Sequence, residues 1–208
     1  MPTRLADLTL RGFAERLGTA EPTPGGGSAS AYSGALGASL ASMVGRIARQ
    51  KSERPGLTDL VEEADSLRAH FLQLVQDDSA AYDRVTAALK LPKRSDAERS
   101  ARNEAIQAAL LAASRAPLDT AKAARRLLQL CERLLEHATP AAISDAGVGA
   151  LFAETAIRGA GLNVMINLAS LKDAAQVKAL SEELDHAVDG AEALRRSVIE
   201  RVEARIAR

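Results

Sequence analysis

The sequence predicts an all-α protein: a single domain over residues 1–208, built as a bundle of long helices. Three observations carry this. Ala fills 43 positions and Leu 28, whereas aromatics make up 2% and Trp is absent; a β-sandwich or barrel needs aromatic and β-branched residues on its pleated faces. The 14 glycines are unevenly spread, with nine in the first 56 residues and none between Leu57 and Ala146, so the middle reads as uninterrupted helix. Within that middle, apolar residues recur at alternating spacings of four and three.

The elements follow in order. A first helix is predicted over about residues 4–17, with Leu5, Leu8, Phe13 and Leu17 on its apolar side. Pro22-Thr-Pro-Gly-Gly-Gly27 cannot be helical and reads as a loop, after which Ser28 is placed to cap a second helix over about residues 29–50. Residues 22–45 carry no charge, and Ser30, Gly34, Gly37, Ala41 and Gly45 form a smooth strip that lets another helix approach closely. A third helix, about residues 58–89, has the stripe Leu60, Ala64, Leu67, Phe71, Leu74, Asp78, Ala81, Val85 and Leu89. Pro92 ends it. Ser95 and Glu98 form a capping box that starts a fourth, which Pro117 should break or kink before it continues to about His137. Residues 141–171 are mostly apolar, with charges only at Asp145, Glu154 and Arg158. Asp173 caps a last helix with Val177, Leu180, Leu184, Ala187, Ala191, Leu194, Val198 and Val202 inward and a charged outer face.

Several function classes are disfavoured. Lys plus Arg equals Asp plus Glu at 27 each, so no net field attracts nucleic acid or an acidic membrane, and stacking platforms for single strands lack aromatics. One cysteine, Cys131, excludes a disulfide framework, and no zinc-ligand spacing is present. The N-terminus has no signal-peptide pattern, and the uncharged block is too rich in Gly and Ser for a membrane span. The expectation is a soluble cytoplasmic protein with no nucleic-acid or membrane partner.

Four groups could carry chemistry. Asp78 interrupts an apolar stripe, where a carboxylate is costly. It is either paired with a Lys or Arg of another helix, or its burial tunes it as a general acid or base. Pro24, Gly25, Gly26, Gly27 and Ser28 expose backbone N–H groups before a helix, a place for an anion or a polar ring edge. No P-loop Lys follows, so a nucleotide phosphate is not the natural ligand. Asn163 and Asn167 share one face of an apolar helix, either as interhelical hydrogen bonds or as readers of a heterocycle edge. Ser144 and Asp145 precede Gly147 and Gly149 and read as a helix cap or a site. Lys93 and Arg102 belong to a basic cluster with Lys90 and Arg94 that is either solvated or holds a carboxylate tail.

Taken together, Pro22-Thr-Pro-Gly-Gly-Gly-Ser28 followed by Gly34-Ala-Leu-Gly-Ala-Ser-Leu-Ala-Ser-Met-Val44 resembles the N-terminal signature of the cyclodeaminase/cyclohydrolase family. The resemblance continues in order through Asp78, Leu89-Lys-Leu-Pro-Lys93, Arg102, Ala116-Pro-Leu118, Ser144-Asp-Ala-Gly-Val148 and Leu162-Asn-Val-Met-Ile-Asn167. It departs at 49–54, where a Gly-Lys-Lys-x-Tyr-like segment is usual, and at Ala138-Thr-Pro140, where Gly-Asn is usual. The resemblance implies a helical subunit that dimerises, with a folate site near the subunit interface and an aspartate at Asp78 associated with catalysis.

Two reactions are implied. In one, water attacks 5,10-methenyltetrahydrofolate to give 10-formyltetrahydrofolate. In the other, N10 of 5-formiminotetrahydrofolate closes on the formimino carbon and ammonia leaves. Both pass through a tetrahedral carbon between N5 and N10 and need a proton carrier there, the role expected of Asp78. Neither requires a metal or redox cofactor; the tetrahydrofolate derivative is the substrate. The glycine turn and Asn163/Asn167 are expected around the folate, Lys93 or Arg102 toward its glutamate tail, and Tyr32 or Phe152 as the ring contact. The chain carries no formiminotransferase domain, which favours the cyclohydrolase. The cyclodeaminase is the alternative, and a non-catalytic folate-binding or helical interaction protein a further one.

Overall fold

A computed structural model describes residues 4–52 and 54–207. Glu53, within the departing segment 49–54, lies outside the described residues. Seven α-helices occur among them: α1 Leu10–Leu17, α2 Gly26–Lys51, α3 Leu57–Leu89, α4 Asp96–Leu135, α5 Ile143–Leu168, α6 Ala174–Val188 and α7 Ala191–Ile206. No strand is present among the described residues. Among the described residues no helix is long and apolar enough to cross a membrane.

Helices α2 to α5 enclose the core, with α2 wedged between α3 and α5. The small residues of α2 make this possible. A Cβ on Gly34 would lie 2.5 Å from the Phe71 ring of α3, and one on Gly45 2.6 Å from Val61. On the other side, a Cβ on Gly37 would lie 3.0 Å from the Gly149 carbonyl of α5. The contacts at Gly26–Asn163, Ser33–Phe152 and Gly37–Gly149 show that α2 and α5 run antiparallel. Fully buried Phe71, Leu127, Leu128, Leu130, Leu134 and Ile157 fill the centre, each contributing roughly 1.5–3 kcal/mol of apolar burial. Cys131 is buried among them and free.

Four boundaries differ from the sequence expectation, each for a local reason. The first helix is split: a 3-10 turn at Leu5–Asp7 precedes α1, because Thr9 Oγ1 accepts from Gly12 N at 3.0 Å and starts the helix there. Ser28 does not cap α2. Ala29 N donates to Gly25 O at 2.9 Å, which makes Gly25 the cap and puts Ser28 inside the first turn. Pro117 leaves α4 unbroken from Asp96 to Leu135. The last helix is two helices, because Gly190 takes φ +65°, a conformation open to glycine; the inward stripe nevertheless holds, with Leu180, Leu184, Ala187, Ala191, Val198 and Val202 all buried. The Ser95–Glu98 capping box and the Asp173 cap of α6 form as expected.

Candidate active site

A cavity of about 350 Å³ opens where the start of α2, the second half of α3, the first half of α4 and the end of α5 meet. That is within the range of small-molecule sites. Its lining includes Gly25, Gly26 and Gly27, Asp78, Tyr82, Asn163 and Asn167.

Asp78 is half-buried and has no Lys or Arg partner among the described ion pairs. Its partner is neutral: Ser28 Oγ donates to Asp78 Oδ2 at 2.8 Å. Burial pushes the carboxyl above the ordinary carboxylate range, and the hydroxyl and backbone amide of Ser28 oppose that push. Gly25, the α2 cap residue, has no side chain, so the Asp78 carboxylate from α3 stands at the N-terminus of α2 in place of a local cap. Gly27 is what admits it: a Cβ there would lie 2.0 Å from Asp78 Oδ1.

The two amides are held differently. Asn163 Nδ2 donates back to Gly159 O at 2.8 Å within α5. Asn167 Nδ2 donates to Ala113 O of α4 at 3.0 Å. Ala113 lies four residues before Pro117, which has no N–H to give it, so the missing helical bond exposes the carbonyl that Asn167 takes. Among the described residues no donor meets either amide oxygen, and both asparagines line the cavity.

The other sequence candidates stand elsewhere. Pro24 is buried behind the glycine turn, and Ser28 is buried behind Asp78, so neither lines the cavity. Lys93 lies with Lys90, Arg94 and Glu98 in a separate depression at the α3–α4 tip. Arg102 is near that tip, donating to Leu89 O at 3.1 Å. Ser144 and Asp145 sit in the first turn of α5, about 28 Å along the helix from Asn163 at 1.5 Å per residue. Tyr32 packs on Phe13, with ring centroids 5.1 Å apart, and neither Tyr32 nor Phe152 reaches the cavity. The cavity's aromatic ring is Tyr82, one helical turn beyond Asp78, with Val85 after it. The stripe read from the sequence already held Val85 and Ala81, both in the cavity lining, but passed one residue short of Tyr82.

The formiminotransferase-cyclodeaminase family profile matches residues 9–186. The chain is 36% identical over 202 residues to a methenyltetrahydrofolate cyclohydrolase of Methylorubrum extorquens, covering 95% of this chain and 97% of that one. It is 35% identical over 173 residues to the formimidoyltransferase-cyclodeaminase of Mus musculus, covering 81% of this chain and 32% of the mouse protein. The crystal structure of a formiminotetrahydrofolate cyclodeaminase from Thermotoga maritima superimposes with a TM-score of 0.80 at 27% identity, over 97% of this chain and 96% of the other.

Proposed function

The chain belongs to the formiminotransferase-cyclodeaminase family, and on that basis we propose that it hydrolyses 5,10-methenyltetrahydrofolate reversibly to 10-formyltetrahydrofolate. The observation that carries this is the Asp78 carboxylate, which faces a ligand-sized cavity without a cation of its own. The methenyl group is a cation, and a desolvated carboxylate beside it stabilises it and the charge that shifts during attack. Water adds to the methenyl carbon and gives one proton to Asp78. Asp78 passes that proton to N5 as the carbon–N5 bond breaks. The hydroxyl proton of the tetrahedral carbon is released, leaving the formyl group on N10. Alignment with the cyclohydrolase over nearly its full length supports this direction.

The cyclodeaminase reaction is the second reading, supported by the Thermotoga structure and the mouse relative. With the formimino group protonated as an amidinium, N10 closes on its carbon, and the same carboxylate would carry the N10 proton to the resulting amine, which leaves as ammonia. In either case Gly25–Gly27 and the amide oxygens of Asn163 and Asn167 would hold the ring edges, and Tyr82 a ring face. A tail running along α3 over Val85 would head toward Lys93 and Arg102.

The proposal includes a homodimer in the cytoplasm. The outer face of α5 exposes Val148, Leu151, Leu162, Met165 and Ile166 in one strip, more apolar surface than one helix usually leaves uncovered. An antiparallel α5–α5 pairing centred on that strip would set Ser144 of the partner subunit opposite Ser170, which lines the cavity. The cap-end residues Ser144 and Asp145 would then serve the site of the other copy.

A spectrophotometric assay tests the function. Loss of methenyl absorbance faster than the uncatalysed rate supports hydrolysis; its appearance from 5-formiminotetrahydrofolate with ammonia supports the second reading. Tight folate binding with neither turnover would leave a non-catalytic binder. Full activity of Asp78→Asn would remove Asp78 from the mechanism.

A further inference from the structure

Ser28 is fully buried, and its hydroxyl has two acceptors, both from α3. Oγ lies 2.8 Å from Asp78 Oδ2 and 3.2 Å from Val75 O. A serine hydroxyl owns one proton and two lone pairs, so it donates to one of these at a time and can accept from a third group. Among the described residues, the hydrogen bonds and cavity lining at Asp78 include no second ionised carboxylate, Lys or Arg. Residues 22–45, including the first turns of α2, are uncharged. On α4 the cavity meets Leu110 and Ala113, and on α5 the two amides. Asp77, next along α3, accepts from Gln73 Nε2 at 2.8 Å, and Tyr82 is the other titratable side chain lining the cavity.

We propose that Ser28 is a positioning residue that holds Asp78 in one place through both halves of its proton cycle by changing the direction of its own hydrogen bond. With Asp78 ionised, Ser28 donates to Oδ2. With a proton on Oδ2, the carboxyl donates to Ser28 Oγ and the hydroxyl turns to Val75 O. Ser28 neither gains nor loses a proton; the one on Asp78 arrives from the attacking nucleophile and leaves to the departing nitrogen. The inference rests on Asp78 being the proton carrier of the proposed function. Its value is in geometry, since a displacement of about 1 Å at a reacting group can cost a hundredfold in rate.

Two readouts test it. The first, independent of turnover, is the carboxyl carbon resonance of Asp78, identified by its loss in Asp78→Asn and titrated by NMR. Ser28→Ala removes a donor that favours the ionised form, so the resonance should titrate at higher pH than in the wild type. The second is the pH profile of kcat. Its acidic limb should move upward by the same amount, with kcat at the optimum falling about ten- to hundredfold, as for a lost hydrogen bond to a charged group, and KM changing less than about twofold. Ser28→Thr, which restores the hydroxyl, should return the limb toward the wild-type position. An Asp78 titration unchanged in Ser28→Ala overturns the proposal, as does a fall in kcat with the acidic limb unmoved. Should Ser28→Ala not fold, Ser28→Cys, a weak donor of similar shape, should show the same upward shift in part; no shift overturns the proposal. If the wild type turns over neither folate, the proposed function fails, while the titration still decides the coupling between Ser28 and Asp78.

Discussion

Replacing Gly27 with Ala adds one methyl group at the point where α2 and the Asp78 carboxylate meet. The new Cβ would lie 2.0 Å from Oδ1, 2.6 Å from Cγ and 2.8 Å from Oδ2, whereas ordinary contact begins at 3.4 Å. The carboxylate must therefore retreat by about 1.4 Å, which breaks its bond to Ser28 and takes it off the α2 N-terminus. Losing a hydrogen bond to a charged group costs roughly 1.5–3 kcal/mol. Ala in place of Gly in a helix returns at most about 1 kcal/mol. The net loss of about 0.5–2 kcal/mol should lower Tm by roughly 1–8 °C in a chain of this length. Activity should suffer far more, by at least about a hundredfold in kcat, because the displaced group is the proton carrier of the proposed function. Gly161→Ala is the control: its Cβ would meet Leu184 at an ordinary 3.7 Å, so kcat should be unchanged. The assay is methenyl absorbance alongside thermal unfolding of each variant. Gly27→Ala with more than half the wild-type kcat would refute the close seating of Asp78 against α2.

Three further outcomes follow from the same geometry. Asp78→Asn should be inactive yet at least as stable as the wild type at neutral pH. A carboxyl whose folded pKa is raised by burial binds its proton more tightly in the folded state, so stability falls as pH rises from the unfolded pKa through the folded one; the advantage of Asn should shrink as the pH is lowered toward 4, as read from Tm against pH. Burial pushes the Cys131 thiol up to about 12, so the native protein should not react with a thiol reagent at pH 8, whereas denatured protein should titrate one thiol. Leu162→Glu, on the exposed α5 strip, should convert the proposed dimer into a 21.9 kDa monomer by light scattering; if sites are completed across that dimer, Asp145→Asn should lose activity and mixing it with Asp78→Asn should recover part of it.

Asp78, the glycine turn and the asparagine pair stood out in the sequence for separate reasons: a charge in an apolar stripe, a Pro- and Gly-rich run read as a loop, of which Gly26 and Gly27 in fact open α2, and two amides at a helical spacing. The fold brings these three to one cavity. Val85 was legible as a later turn of the same α3 stripe, whereas Tyr82, one residue off it, was not. Ser144 and Asp145 were not, because motif order carries no distance and α5 is a rod that sets them at its far end. The break at Gly190 was hidden because the inward spacing of Leu184, Ala187, Ala191 and Leu194 continues across it, although Asp189-Gly190 is a turn pair. The role of Ser28 could not be read locally, since its hydroxyl serves a residue 50 positions away.

Pro117 has a consequence for how the bundle is indexed. α4 and α5 pack closely, and many of their buried residues are alanine, including Ala121, Ala124, Ala146, Ala150, Ala153 and Ala160. Surfaces so smooth offer few knobs to resist axial sliding. The vacancy that Pro117 leaves in the α4 ladder works as a single notch, and the Asn167 amide is the tooth that enters it. Sliding α5 by one residue, about 1.5 Å, would leave that carbonyl empty. The same tooth stands one turn from Asn163, so the notch that sets the register of two long rods also sets the depth at which the amides meet the cavity.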